Sequence, residues 1–198
     1  MKKGIITLLV VLGLAALLVM WGVRAYNGLV QSQEKVEAAW AQVENQYQRR
    51  ADLVPNLVAT VKGYATHEQE TLDQVVKARA RATQVTNYID PTHITPEQLA
   101  EYQAAQGQLS QALGRLIAIS ENYPNLKANE NFRDLQAQLE GTENRIAIAR
   151  QQFNDDARAY NTDIRRFPKN IIANWFGFEK KPYFEADEGT KTAPKVEF

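Results

Sequence analysis

The chain has 198 residues, with 23 Lys and Arg balanced by 23 Asp and Glu, and it contains no cysteine. Zero net charge argues against nucleic-acid and polyacidic partners, which need a surplus of positive charge on the protein. The missing cysteines exclude a disulfide framework and a lipid-modified cysteine.

The N-terminal element is the most distinctive. Gly4 to Val23 is an uncharged run of twenty residues between Lys2-Lys3 and Arg24. At about 1.5 Å per residue such a helix covers about 30 Å, the thickness of a bilayer's hydrocarbon core. Gly4, Leu8, Leu12, Leu17, Met20 and Val23 mark the expected anchor. A cleaved signal peptide is the competing reading, but its apolar region usually runs about 7 to 15 residues, and Arg24 would sit just before the cut. The run is therefore read as an uncleaved signal anchor in a bacterial inner membrane, with the lipid bilayer as its partner. Lys2, Lys3 and the terminal amine, set against Arg24 and Lys35, lean the positive-inside balance towards an extracytoplasmic domain.

Beyond the anchor, Val36, Trp40, Val43, Tyr47, Val54, Leu57, Val61 and Tyr64 recur in steps of three and four, with one missed beat at Arg50 or Ala51. This is a helical stripe, and it is expected to continue the membrane helix directly. Pro55 predicts a kink or short break near Asp52 to Pro55. Gly63 followed by Thr66-His67-Glu68-Gln69 reads as a helix end and a capping box, opening a second helix over 67 to 87. Its core positions are Leu72, Val75 or Val76, Ala82 and Val85.

Thr95-Pro96-Glu97-Gln98 starts a third helix through Leu99, Tyr102, Gln106, Leu109, Leu113, Leu116 and Ser120. Asn125 or Asn129 caps a fourth, whose apolar period runs from Phe132 through Leu135, Leu139, Thr142, Ile146, Ala149, Phe153, Ala157, Tyr160 and Ile164 to Phe167. A short helix from Lys169 to Phe176 should end at Gly177. Glu179 to Phe198 has no period and reads as an extended or disordered tail. The expected fold is all-α: one transmembrane helix over 1–25, an elongated antiparallel four-helix bundle with the short helix over 26–178, and the tail over 179–198.

Several strings resemble the bacterial LemA family: Tyr26-Asn27-x-Leu29-Val30, Ala39-Trp40-x-Gln42-Val43-Glu44, the stretch Tyr47 to Val58, Leu139-Glu140-Gly141-Thr142-Glu143-Asn144, Tyr160-Asn161-Thr162 and Phe167-Pro168. The likeness extends from the anchor to Pro194-Lys195-Val196-Glu197-Phe198. The resemblance implies a single membrane helix with a helical bundle, and it supplies no reaction and no catalytic residue.

Candidate chemistry is sparse. A di-iron bundle needs a Glu-x-x-His pair on each of two helices. Tyr64 stands three residues before His67, and Asp90 precedes His93 in a loop flanked by proline. Two isolated histidines give a hydroxyl nucleophile no positioned base. No metal, cofactor, small-molecule substrate or catalytic residue is expected.

Charged strings on the two longest helices remain. Arg49, Arg50 or Arg145 is expected to pair with Glu140, Glu143 or Asp52, either as an internal network fixing helix register or between copies at a subunit interface. Trp175, Phe176 and Phe178 form an aromatic group with Tyr183 and Phe184, read as a lid on the bundle core or as an anchor at a lipid or partner surface. The terminal Val196-Glu197-Phe198 fits capture of a carboxylate in a β-addition groove. Together these define a non-enzymatic membrane scaffold, expected to be a homo-oligomer. An adaptor presenting its surface or Phe198 to an envelope protein partner, such as a membrane protease or sensor, is the alternative.

Overall fold

The computed structural model describes residues 2–185, and every regular element in that range is an α-helix. In chain order they are α1 (Lys2–Lys62), α2 (Gln69–Thr86), α3 (Pro96–Ser120), α4 (Pro124–Lys127), α5 (Glu130–Arg165) and α6 (Lys169–Phe176). The apolar run and the first amphipathic stripe are one helix of 61 residues, unbroken at Pro55.

Pro55 is tolerated for an identifiable reason. Proline has no backbone N–H, so the carbonyl four residues earlier, that of Ala51, loses its helical donor. The Arg79 Nε–H on α2 donates to that carbonyl at 2.8 Å. A buried orphan acceptor is thereby satisfied by a neighbouring helix.

The helix ends follow capping chemistry with two departures from the sequence reading. At α3 the Thr95 hydroxyl accepts from the Gln98 N–H at 3.2 Å, the Gln98 side chain accepts from the Thr95 N–H at 3.0 Å, and Pro96 takes the first turn. The Asn129 side chain accepts from the Phe132 N–H at 3.0 Å, so Asn129 is the residue that caps α5. The capping box expected at Thr66 is absent. α2 starts at Gln69, whose amide donates to Asp73 instead, while the preceding turn buries Ala65. The single turn α4 was not anticipated; Pro124 opens it and Leu126 is buried beneath it.

Two compact units share the chain. The first comprises the chain up to Ala38 together with Asp155–Lys181. Its core joins Ala25, Leu29 and Val36 of α1, Ala157, Tyr160 and Ile164 of α5, and Ile172 and Ala173 of α6. Towards the N-terminus α1 has no such cover: from Ile5 to Met20, exposure of its large apolar side chains runs from 52% at Met20 to 68% at Leu18. This part of α1 is long and apolar enough to cross a membrane, and its apolar surface is bare. Gly177, at φ +74°, ends α6 in the left-handed region, and the Phe178 N–H donates back to the Ala173 carbonyl at 3.0 Å. Phe167, expected on the α5 stripe, is 76% exposed because α5 stops at Arg165.

The second unit comprises Ala39–Asn154 and, of the described residues, 182–185. Its core draws Val54, Leu57 and Val61 from α1, Leu72 and Val75 from α2, Leu109, Leu113 and Leu116 from α3, Leu126 from α4, and Phe132 and Leu139 from α5. Every stripe position expected on α3 is buried. On α2 it is Val75 that enters the core, while Val76 is exposed. Tyr64 is exposed because it lies beyond the end of α1.

Two predictions follow from these contacts. Arg79→Met should cost about 1–3 kcal/mol in urea unfolding, the cost of a buried acceptor left unmade. In a Pro55→Ala background the same substitution should cost clearly less, because residue 55 then donates to Ala51; equal losses in both backgrounds would refute the patch. Burial, with smaller contributions from Glu179 and Glu37, pushes the Tyr160 hydroxyl up to about 12. A folded pKa above the unfolded value of about 10 makes a contribution that is complete below that value and disappears as pH rises through the folded pKa. Alkaline unfolding should therefore be shallower between about pH 10 and 12 in Tyr160→Phe, as read by circular dichroism.

Candidate functional site at a buried arginine

Within the second unit, the α1 stripe reads Trp40, Val43, Tyr47, Arg50, Val54, Leu57 and Val61, strictly alternating steps of three and four. Arg50 fills the beat that lacked an apolar residue, and it is only 1% exposed. Such a periodicity carries whatever occupies the position into the core.

The guanidinium is met from two other helices. Nη1 donates to the Ser110 hydroxyl of α3 and to the Glu143 carboxylate of α5, at 2.8 Å for the latter. Nη2 donates to the side-chain oxygen of Gln106 at 2.6 Å and to its backbone carbonyl at 3.0 Å. The cation lies 4.9 Å from the centre of the Tyr47 ring. Gln106 and Ser110 are one turn apart, so a single face of α3 supplies both contacts. The planar fork of arginine suits this division, since it sends donors in fixed directions. Glu143 is 40% exposed in its side chain and keeps contact with solvent. The site is thus a desolvated cation bound to a half-hydrated anion.

The other charges named from the sequence stay apart. Arg49, Glu140 and Arg145 are exposed, and Glu140 accepts from Gln136 on its own helix at 3.1 Å. Asp52 is exposed and accepts from Gln48. Of the expected partners, only Arg50 and Glu143 meet, inside the chain, so Arg50 is an internal contact and not a surface residue. Gln106 had been placed on the buried stripe, where a polar residue signals a buried partner; nothing in the sequence pointed to Ser110.

No group of three His, Cys, Asp or Glu among the described residues is placed to hold a metal ion. His67 is exposed, and His93 lies 3.2 Å from Asp90, whose carboxyl is held below its ordinary value chiefly by the Thr92 backbone N–H. A shallow hollow of about 180 Å³ between α2 and α3 is open to solvent and crossed by the Arg81–Glu101 ion pair at 2.5 Å.

A second feature of this unit came from a stretch read as tail. Phe184 stacks on Trp40, with centroids 5.9 Å apart, and meets the edge of Phe153 at 5.4 Å. Arg150 covers it at 5.2 Å. The Asn154 side chain accepts from the Phe184 N–H at 2.8 Å and donates to its carbonyl at 2.9 Å. Gln103 grips the Glu185 peptide in the same way, at 3.2 and 2.9 Å. In the first unit, Asn161 does so for Lys181, at 2.8 Å for each bond. Residues 178–185 are thus without regular structure yet docked. Trp175 and Phe176, in the first unit, are exposed, Phe178 is half-buried, and Phe198 lies outside the described residues.

Helices as the one regular element among the described residues, with a bare apolar helix at the N-terminus, define a membrane-associated helical class. A family model described as the LemA family matches residues 39–198, and the chain belongs to that family. It is similar to "Magnetosome protein MamQ 2" of Paramagnetospirillum magneticum, 28% identical over 91% of this chain and 71% of the relative. "Magnetosome protein MamQ" of Magnetospirillum gryphiswaldense is 29% identical over 80% and 64% of the two chains. "Protein LemA" of Metamycoplasma hominis is 24% identical over 82% and 69%.

A double-mutant cycle tests the arginine site. Glu143→Gln should destabilise by about 1–3 kcal/mol, below the cost of a fully buried pair because Glu143 is partly hydrated. Arg50→Met combined with Glu143→Gln should lose less than the sum of the two single substitutions. Strict additivity in chemical unfolding would show that the two groups do not interact.

Proposed function

We propose that this chain is a non-enzymatic scaffold of the bacterial cell envelope, anchored through α1 and self-associating through its long amphipathic helices. In this reading α1, α2, α3 and α5 form an antiparallel four-helix bundle on the extracytoplasmic side of the inner membrane. The observation that carries it is the division of chemistry in the chain. The terminal nitrogens of Arg50 are bound by Glu143, Gln106 and Ser110 inside the fold, with Nε left without a hydrogen-bond partner, whereas the large side chains along the apolar run of α1 are exposed. The relatives' names point the same way, since they refer to a cellular structure or to the family and not to a reaction.

A second reading, an adaptor for another envelope protein, is favoured by the seat for Phe184. Its ligands, Asn154 and Gln103, hold backbone and not side chains, as a peptide-binding groove does.

Light scattering separates the two. The full-length protein in mild detergent should have the mass of a discrete multimer, and the chain starting at Tyr26 a smaller one. A monomer at all concentrations would overturn the scaffold reading and leave the adaptor.

A further inference from the structure

We propose that α6 is a second membrane-contact site, an interfacial helix whose Ile171 and Trp175 enter the boundary between headgroups and acyl chains beside the exit of α1. The inference rests on reading α1 as the membrane span and adds a lipid site to it.

Position is the first argument. A Cβ on Gly22 would lie 3.9 Å from the Ile172 Cδ1, so α6 packs on α1 at the end of the uncharged run. The run ends at Val23 and is only just long enough to cross the hydrocarbon, which places Gly22 within about 3 Å of its edge. Tyr26 extends the contact, with its ring 4.7 Å from Phe176 and 5.7 Å from Phe178.

Chemistry is the second. Ile172 and Ala173 form the buried face of α6, while Ile171 and Trp175, one turn apart, lie on the opposite face at 51% and 80% exposure. Phe167, just before the helix, is also bare. Tryptophan and tyrosine partition to the headgroup level because the ring is apolar and its N–H or O–H is not. Ile172 at Gly22 and Phe176 at Tyr26 advance together along the two helices, so α6 lies alongside α1 as it leaves the hydrocarbon and its bare apolar side, flanked by cations, faces the headgroup level.

Charge selects the occupant. Arg24, Arg165, Arg166 and Lys180 are exposed, and Glu179 is the one exposed acid between residues 163 and 181. Lys169 is already held by Asp163 at 2.9 Å. A second copy would bring the same cations to the contact, whereas anionic headgroups complement them.

The absence of native cysteine gives a clean test in the full chain. Single variants Trp175→Cys, Ile171→Cys, Leu12→Cys and Gln31→Cys, each labelled with an environment-sensitive fluorophore, are reconstituted into phosphatidylcholine–phosphatidylglycerol vesicles carrying acyl-chain nitroxides. Gln31 lies eight residues past Val23 on α1, about 12 Å along the helix, and reports on water. Labels at 12, 171 and 175 should be blue-shifted and lose about half their emission or more to the lipid quencher, with the label at 31 unaffected. Quenching at 12 without quenching at 171 or 175 would overturn the interfacial site and leave the span intact. No quenching at 12 would overturn the span itself. Shielding at 175 that vanishes on dilution to one copy per vesicle would make the occupant a second copy, against the proposal.

Discussion

A cation carried into an apolar core by helical periodicity has to be met wherever it arrives, and Arg50 organises the second unit around that requirement. Its donors reach α3 through Gln106 and Ser110 and α5 through Glu143, while α1 holds it in the stripe between Tyr47 and Val54. Apolar layers such as Leu57, Leu113 and Leu139 supply bulk burial but tolerate sliding by a turn, because one leucine packs much like another. A guanidinium with partners at fixed directions does not tolerate it, since a shift leaves a desolvated charge unpaired. Net stability around the polar site is supplied by the leucine layers, because a buried ion pair returns little beyond its own desolvation cost.

The same principle recurs in weaker form. Pro55 removes a donor from α1, and Arg79 of α2 supplies one. The backbone beyond α6 has no helix or sheet to join, and Asn161, Asn154 and Gln103 take its N–H and C=O groups. At each place a segment that cannot meet its own hydrogen-bonding needs is held by a side chain on a regular helix. That pattern ties the helices together through exact polar contacts in a chain without a single disulfide.

Local periodicity made much of this legible. The α3 positions from Leu99 to Ser120, the α5 stripe from Phe132 to Ile164, the Thr95 capping box and the Gly177 stop each depend on residues close in sequence, and apart from the end of α5, two residues short of Phe167, each lies where the spacing put it. The beat at Arg50 was visible too, as was Glu143 among its possible partners. What stayed hidden depends on distant residues. Ser110 is sixty residues from Arg50 and Arg79 twenty-eight from Ala51, and neither side chain looks different from a solvated one until the helices are packed. Thr66 misled because a box motif states only what a helix start allows; burial of Ala65 decided where the helix began. The aromatic Phe184 was legible as a cover for the core, whereas the backbone hold on 181–185 was not, because it comes from carboxamides elsewhere, which leave no period in the stretch itself.

Those carboxamides have a consequence for how this sequence can drift. A side-chain amide that accepts from the N–H and donates to the C=O of one residue reads the backbone, and neither bond involves that residue's side chain. At the exposed Glu185 the amide grip would therefore survive replacement by almost any amino acid with a free N–H, while Lys181 is buried along its side chain as well and Phe184 is additionally bound through its ring in the Trp40 and Phe153 seat. Proline is the substitution barred at all three. Selection on this stretch would act on the path of the chain more than on its lettering, so two homologues with dissimilar letters here can follow one path, provided that an aromatic anchor and the three distant amides persist.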